Sequence, residues 1–297
     1  MAETVAPVGG VELCYETFGD PSDPAMLLIM GLGTQMIAWH DDFCAELAGR
    51  GFHVIRFDNR DIGRSTKLSH IRPPKLWQLA VRDRRAAGYS LEDMAGDAIG
   101  LLDHLGLERA HVVGASMGGM IAQVLAIRHP ERVLSLVSIM SNTGGRWSNR
   151  PSLSVLPIFL REAPRDRDAF ADYAVKLFRT IGSPGYPPDP DELRERALIS
   201  YERGLDAAGS GRQLAAILAA PDRKPDLRRL DVPTLVIHGA ADKMVNPSGG
   251  RGTARAIPGA RLMLIDGMGH DLPRALWPRM IDAIVENAAR APLSAPR

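Results

Sequence analysis

Ser116 stands in Gly114-Ala115-Ser116-Met117-Gly118, a G-x-S-x-G pentapeptide with an apolar run before it and a helix-forming run after it. A serine hydroxyl is a poor nucleophile at neutral pH. It becomes reactive only if the chain exposes it, supplies a base for its proton and supplies an acid that fixes the base's tautomer. A sharp strand-to-helix turn meets the first need: Gly114, Gly118 and Gly119 let strand and helix approach without side-chain clashes, at the cost of a strained backbone at the serine. The other two needs point downstream. Asp242 follows the run Thr234 to His238, and His270 follows Arg261 to Ile265. Each stands a few positions past the C-terminal end of a predicted strand, where open parallel sheets gather their active sites. The order Ser, Asp, His is the one that accompanies this elbow. The chemistry is acyl transfer, with a covalent intermediate on Ser116, His270 as base and Asp242 as the orienting acid. A developing oxyanion needs donors as well. The backbone N–H of Met117, at the start of the helix, and that of Leu32, between Gly31 and Gly33, are the expected pair.

Rival residues are weaker. His40, His53, His70, His104, His111, His129 and His238 occupy positions that no such triad uses, and His238 reads as a core histidine. Asp266 and Asp271 flank the histidine loop, but sequence neighbours rarely meet across a tight turn. The polar loop Asp58 to Ser65, rich in charge and adjacent to the glycine loop, is a further functional candidate. Gly31-Leu32-Gly33 lacks the third glycine of a dinucleotide fingerprint, because Met36 holds that position.

The elements that must position these residues follow from hydrophobic pattern. Val11 to Phe18 alternates as a half-buried edge strand. Ala25 to Met30, His53 to Phe57, His111 to Val113, Val133 to Met140, Thr234 to His238 and Arg261 to Ile265 read as strands, several of them unbroken apolar runs covered on both faces. Helical stretches alternate with them at Asp41 to Ala48, from Ser90 (with Asp93 completing a capping box) to Leu105, at Met120 to Arg128, beyond Pro247 and from Pro273 to Ala289. That alternation predicts an α/β fold with a mostly parallel sheet. It breaks between Ser141 and Asp231, where Pro/Gly-rich stretches separate helices at Glu192 to Tyr201 and Gln213 to Ala220. Residues 1–140 and 232–297 are therefore expected to form a core, and 141–231 a helical cap inserted into it. Trp147, Leu153, Leu156, Ile158 and Phe159 near the start of the cap suggest an apolar acyl or aromatic pocket, and core packing explains the same residues about as well.

Composition narrows the classes. Hydrophobic residues make up 45% and charged residues 24%, within globular averages. Lys and Arg number 36 against 35 Asp and Glu, so the net charge of +1 offers no electrostatic footprint for nucleic acid. The basic clusters at Arg82 to Arg85 and Arg223 to Arg229 read as solvated faces. Cys14 and Cys44 show neither disulfide-framework nor zinc spacing, so neither a disulfide framework nor a metal site is indicated. The N-terminus lacks signal-peptide character, and no apolar run reaches the ~18 residues of a membrane span, so the expected location is cytoplasmic. Whether copies pair as a homodimer is left open.

Together the segments LLIMGLG, VIRFDNRDIGRS, HVVGASMGGMIAQ, PTLVIHGAADKMVNPSGG and DGMGH resemble the α/β-hydrolase superfamily, and within it the actinobacterial lipase/esterase group that includes anthracycline methylesterases. The likeness covers nearly the whole chain; its motifs are specific for fold and triad and much less so for substrate. It implies hydrolysis of a small-molecule carboxylic ester without metal or cofactor, with Ser116, Asp242 and His270 in the triad positions, and it makes the loop Asp58 to Ser65 a hydrogen-bonded scaffold. The same triad also serves methyl-ester hydrolysis on polyketide-type metabolites and carbon–carbon bond hydrolysis. A non-catalytic binding module is the reading when a triad member is missing, and none is. One departure is Met30-Gly31, where many relatives carry His-Gly.

Overall fold

The first two strands, β1 (Thr4–Val8) and β2 (Val11–Phe18), form a hairpin that turns through Gly9 and Gly10, both with positive φ. The computed structural model describes residues 3–81, 83, 86–144, 152, 155 and 163–291. β3 (Ala25–Ile29), β4 (His53–Phe57), β5 (Ala110–Ala115), β6 (Val133–Ile139), β7 (Thr234–Gly239) and β8 (Arg261–Ile265) complete a sheet of eight strands in the order β1-β2-β4-β3-β5-β6-β7-β8. β2 runs antiparallel to both β1 and β4, and every later pairing is parallel. β2 is therefore not an edge strand. β1 covers it because Thr4-Val5-Ala6-Pro7-Val8 turns Ala6 and Val8 inward and exposes the other three, and Pro7 is tolerated on an edge.

β3, β4, β5 and β7 are buried along their whole length, which is why their sequences read as apolar runs rather than as alternation. Successive side chains point to opposite faces. Leu27 and Ile29 join one core with α3 (Leu91–His104) and α4 (Met117–Arg128), while Met26 and Leu28 join a second with α1 (Asp41–Gly49) and α10 (Trp277–Ala288). The Ser90 hydroxyl caps α3 by accepting from the Asp93 amide at 3.1 Å, and the Asp93 carboxylate accepts from the Ser90 amide at 2.8 Å. α4 is buried on nearly every side, so it carries no amphipathic signal. A short helix, α2 (Leu76–Ala80), precedes α3, and α9 (Ser248–Ala256) lies between β7 and β8.

Between β6 and β7 the described residues hold α5 (Arg167–Ile181), α6 (Pro190–Glu202), α7 (Ala207–Ala219) and α8 (Lys224–Leu227). α5 and α6 lie side by side, with the rings of Phe170 and Tyr201 5.8 Å apart and Arg194 paired to Asp168 at 2.8 Å. Trp147, Leu153, Leu156, Ile158 and Phe159, expected to line a pocket, lie outside the described residues, as do Arg82, Arg84 and Arg85. The second basic cluster is not wholly a solvated face: Arg223 is buried, donating to Gln123 Oε1 at 3.1 Å and to the Asn142 carbonyl at 2.9 Å. Cys14 and Cys44 are buried free thiols, each pushed up to about 12, mainly by burial. Among the described residues no helix is long and apolar enough to cross a membrane.

Candidate active site

The elbow begins with β5 running straight into Ser116, whose φ of 55° and ψ of −118° put a non-glycine residue in strained backbone territory just before α4. The strain is held by packing. A methyl on Gly114 would come within 2.1 Å of the Gly118 carbonyl oxygen, and one on Gly118 within 2.0 Å of the Ile29 carbonyl, so neither position admits a side chain. The backbone at Ser116 is tied on both sides: its amide donates to the Ile139 carbonyl at 2.9 Å, and its carbonyl accepts from the Ser141 hydroxyl at 2.7 Å. The hydroxyl remains accessible, because Ser116 is only partly buried while its neighbours Ala115 and Met117 are buried.

The structure brings Ser116, His270 and Asp242 together across 154 and 28 residues of sequence separation: His270 Nε2 lies 3.0 Å from Ser116 Oγ, and His270 Nδ1 lies 2.8 Å from Asp242 Oδ2. Asp242 is fully buried at its side chain, and its other oxygen, Oδ1, accepts from the amides of Met244 and Val245 at 2.8 Å each. With Oδ1 filled by backbone donors, Oδ2 faces the imidazole. A carboxylate there accepts from Nδ1–H and leaves Nε2 free to take the serine proton. His238 braces the same loop, donating from Nε2 to the Val245 carbonyl at 2.9 Å. Burial pushes its pKa down, which keeps the ring neutral. The rivals point elsewhere: Asp266 is exposed, and Asp271 turns its carboxylate onto Ser183.

The glycine loop lies beside the nucleophile: a methyl on Gly31, the residue before Leu32, would sit 3.0 Å from Ser116 Cβ and 3.6 Å from Ser116 Oγ. Met117 is the first residue of α4, so its N–H is one of those a helix leaves without an intrahelical acceptor.

The alpha/beta hydrolase fold family matches residues 24–273, a span that contains all three of these side chains. The chain belongs to that family. It is similar to the rhodomycin D methylesterase DnrP of Streptomyces peucetius, at 30% identity over 95% of this chain and 96% of that one. It is also similar to 3-oxoadipate enol-lactonase 2 of Acinetobacter baylyi, at 30% identity over 81% of this chain and 80% of the other. Among solved structures, the enol-lactonase from Burkholderia xenovorans LB400 superposes with a TM-score of 0.76 at 26% identity, covering 97% of this chain and all of that one.

In this hydrolase the loop Asp58 to Ser65 is the scaffold of the glycine loop. Asn59 Nδ2 donates to the Met30 carbonyl at 2.9 Å, one residue before Gly31. Asp58, fully buried, accepts from the Met36 amide at 2.7 Å, from the Arg64 amide at 2.9 Å and from Arg203 at 2.5 Å. Burial pushes its carboxyl up to about 6 against these donors. Asp61 takes both arms of Arg212 from α7, at 2.8 and 2.7 Å. Gln213, the next residue, spans two loops: its carbonyl accepts from the Gly33 amide and its amide donates to the Arg60 carbonyl, both at 2.9 Å. Sequence reading noted Gln213 only as the start of a helix. The available signal was an adjacent Arg-Gln pair in the middle of a helix otherwise made of small and apolar residues. Gln213→Leu keeps the volume and leaves the part-buried Gly33 N–H and Arg60 C=O without their partner, so urea unfolding is expected to show a loss of about 1 to 2 kcal/mol, with kcat falling more than KM changes as the loop beside Ser116 loosens.

Proposed function

We propose that this chain hydrolyses carboxylic esters through an acyl-enzyme on Ser116, with His270 as general base and Asp242 as the acid that orients it. The observation that carries this reading is the continuous hydrogen-bonded relay from the Asp242 carboxylate through the imidazole to a hydroxyl on a strained elbow. Ser116 Oγ attacks the ester carbonyl while Nε2 of His270 takes its proton, and the amides of Leu32 and Met117 receive the charge that develops on the carbonyl oxygen. Collapse of the tetrahedral adduct breaks the bond to the alkoxide, which leaves as alcohol with the proton from His270. A water molecule, deprotonated by the same imidazole, then releases the acid. The chain from Ser141 to Asp231 acts as the cap that chooses the substrate, the substrate is a small molecule, and the reaction takes place in the cytoplasm.

A second, finer reading is favoured by the similarity to a rhodomycin D methylesterase along nearly the full length of both chains: the ester is a methyl ester on a polyketide-type secondary metabolite. A panel of p-nitrophenyl esters of increasing acyl length, methyl esters of polyketide-type metabolites and a dienone tests both. Turnover of the esters with the dienone untouched is expected, and the finer reading requires the methyl esters to be the better substrates by kcat/KM. No ester turnover, or cleavage of the dienone alone, contradicts the proposal.

A further inference from the structure

The loop that carries His270 does not stand alone on the sheet edge. Five hydrogen bonds stitch it to the end of α5 and the residues that follow. The His270 amide donates to the Ile181 carbonyl at 2.8 Å, the Gly269 amide to Ser183 Oγ at 2.8 Å, the Gly185 amide to the Gly267 carbonyl at 2.9 Å, and the Ser183 amide to Asp271 Oδ2 at 3.2 Å. The Ser183 hydroxyl closes the set by donating to Asp271 Oδ1. The two backbones touch: a methyl on Gly269 would lie 2.1 Å from the Gly182 carbonyl oxygen, and one on Gly185 would lie 2.9 Å from the Gly267 α-carbon. Ser183 is 3% exposed, so its hydroxyl, accepting on one side of His270 and donating on the other, is not exchanged for water.

We infer that Ser183 and Asp271 are positioning residues for the base: they fix the backbone of Gly269, His270 and Asp271 from the inserted helices, so that the imidazole meets Ser116. This rests on the assignment of His270 as base. It gives the insertion a second duty beyond choosing substrate, since the same segment that caps the site also sets the reacting geometry. Neither residue touches the reacting atoms. Asp242 fixes the ring's tautomer and rotation, whereas the Ser183–Asp271 pair fixes where the ring's α-carbon stands. Charged or titratable groups around the imidazole are Asp242, His238 and Asp271 itself.

The test is steady-state kinetics on an ester substrate for Ser183→Ala, Asp271→Ala and Asp271→Asn, beside His270→Ala, with thermal unfolding and the low-field proton NMR signal of the His270–Asp242 hydrogen bond. A misplacement on the order of 1 Å costs about a hundredfold. Ser183→Ala and Asp271→Ala are therefore expected to lower kcat by about tenfold to a hundredfold with KM changed less than about threefold, and to shift or broaden the low-field signal. Asp271→Asn, which keeps one acceptor, should fall between these and the wild type. A folded Ser183→Ala enzyme with kcat within about twofold of wild type overturns the inference. So does a rise in KM alone, which would make the segment a substrate contact. If Ser183→Ala does not fold, Asp271→Asn decides by the same readouts. Full activity in His270→Ala would instead remove the base assignment on which the inference stands.

Discussion

Ser116→Ala is expected to lower kcat for ester hydrolysis by about a million-fold, roughly 8 kcal/mol of transition-state stabilisation, while the protein stays folded. The loss is large because acyl transfer has no other nucleophile, and what remains comes from binding and from the proposed oxyanion donors. The fold survives because alanine, like serine, carries a Cβ at a φ of 55°, so the strain of the elbow neither rises nor falls. The anchoring bonds to Ile139 and Ser141 use the backbone of residue 116 and are kept. Steady-state rates on a p-nitrophenyl ester and a thermal melt read both parts; a variant that melts with the wild type yet retains more than about a hundredth of its kcat contradicts the account.

Asp242→Asn should come next in size, at about ten-thousandfold in kcat. The cause is the loop's own hydrogen bonding. Met244 and Val245 both donate to Oδ1 at 2.8 Å, so an asparagine must present its carbonyl oxygen there and its NH2 to His270. An NH2 against Nδ1 favours the other imidazole tautomer, with hydrogen on Nε2, and that nitrogen can no longer accept the serine proton. Asp266→Asn, at an exposed carboxylate, is expected to leave kcat within about twofold. If Asp266→Asn were the damaging change and Asp242→Asn the silent one, the assignment of the acid would be wrong.

Much of this was readable from residue types alone, and the reason is burial geometry. Strands covered on both faces carry few polar residues, so AMLLI and TLVIH announced themselves, and Ser116 and Asp242 follow two such strands, β5 and β7, whereas His270 follows the edge strand β8, whose first residues are exposed. β1 escaped because five residues that include Pro7, three of them exposed, carry little pattern. α5 escaped for a related reason. It buries only Ala171 and Ile181 completely, and its polar face dominates the sequence. The parts of the site that sequence reading did not find are buried polar side chains whose partners are remote. Gln213 meets Gly33 from 180 residues away, and Ser183 meets Asp271 from 88. A buried glutamine or serine is spelled like a surface one, and only the fold reveals that its hydrogen bonds are closed by protein instead of water. Asp58 to Ser65 stood out by its charge density, and its reading as a scaffold came with the family resemblance, yet what it supports, the backbone on either side of Gly31, was not legible.

The central claim is that His270 makes the hydroxyl of Ser116 reactive. Covalent labelling by a fluorophosphonate, followed by mass spectrometry of the proteolysed chain, tests it most directly. One adduct per chain, on the peptide bearing Ser116 and absent from His270→Ala over the same interval, is the predicted result. An adduct on a different serine, or equal labelling of Ser116 with and without the imidazole, would contradict it.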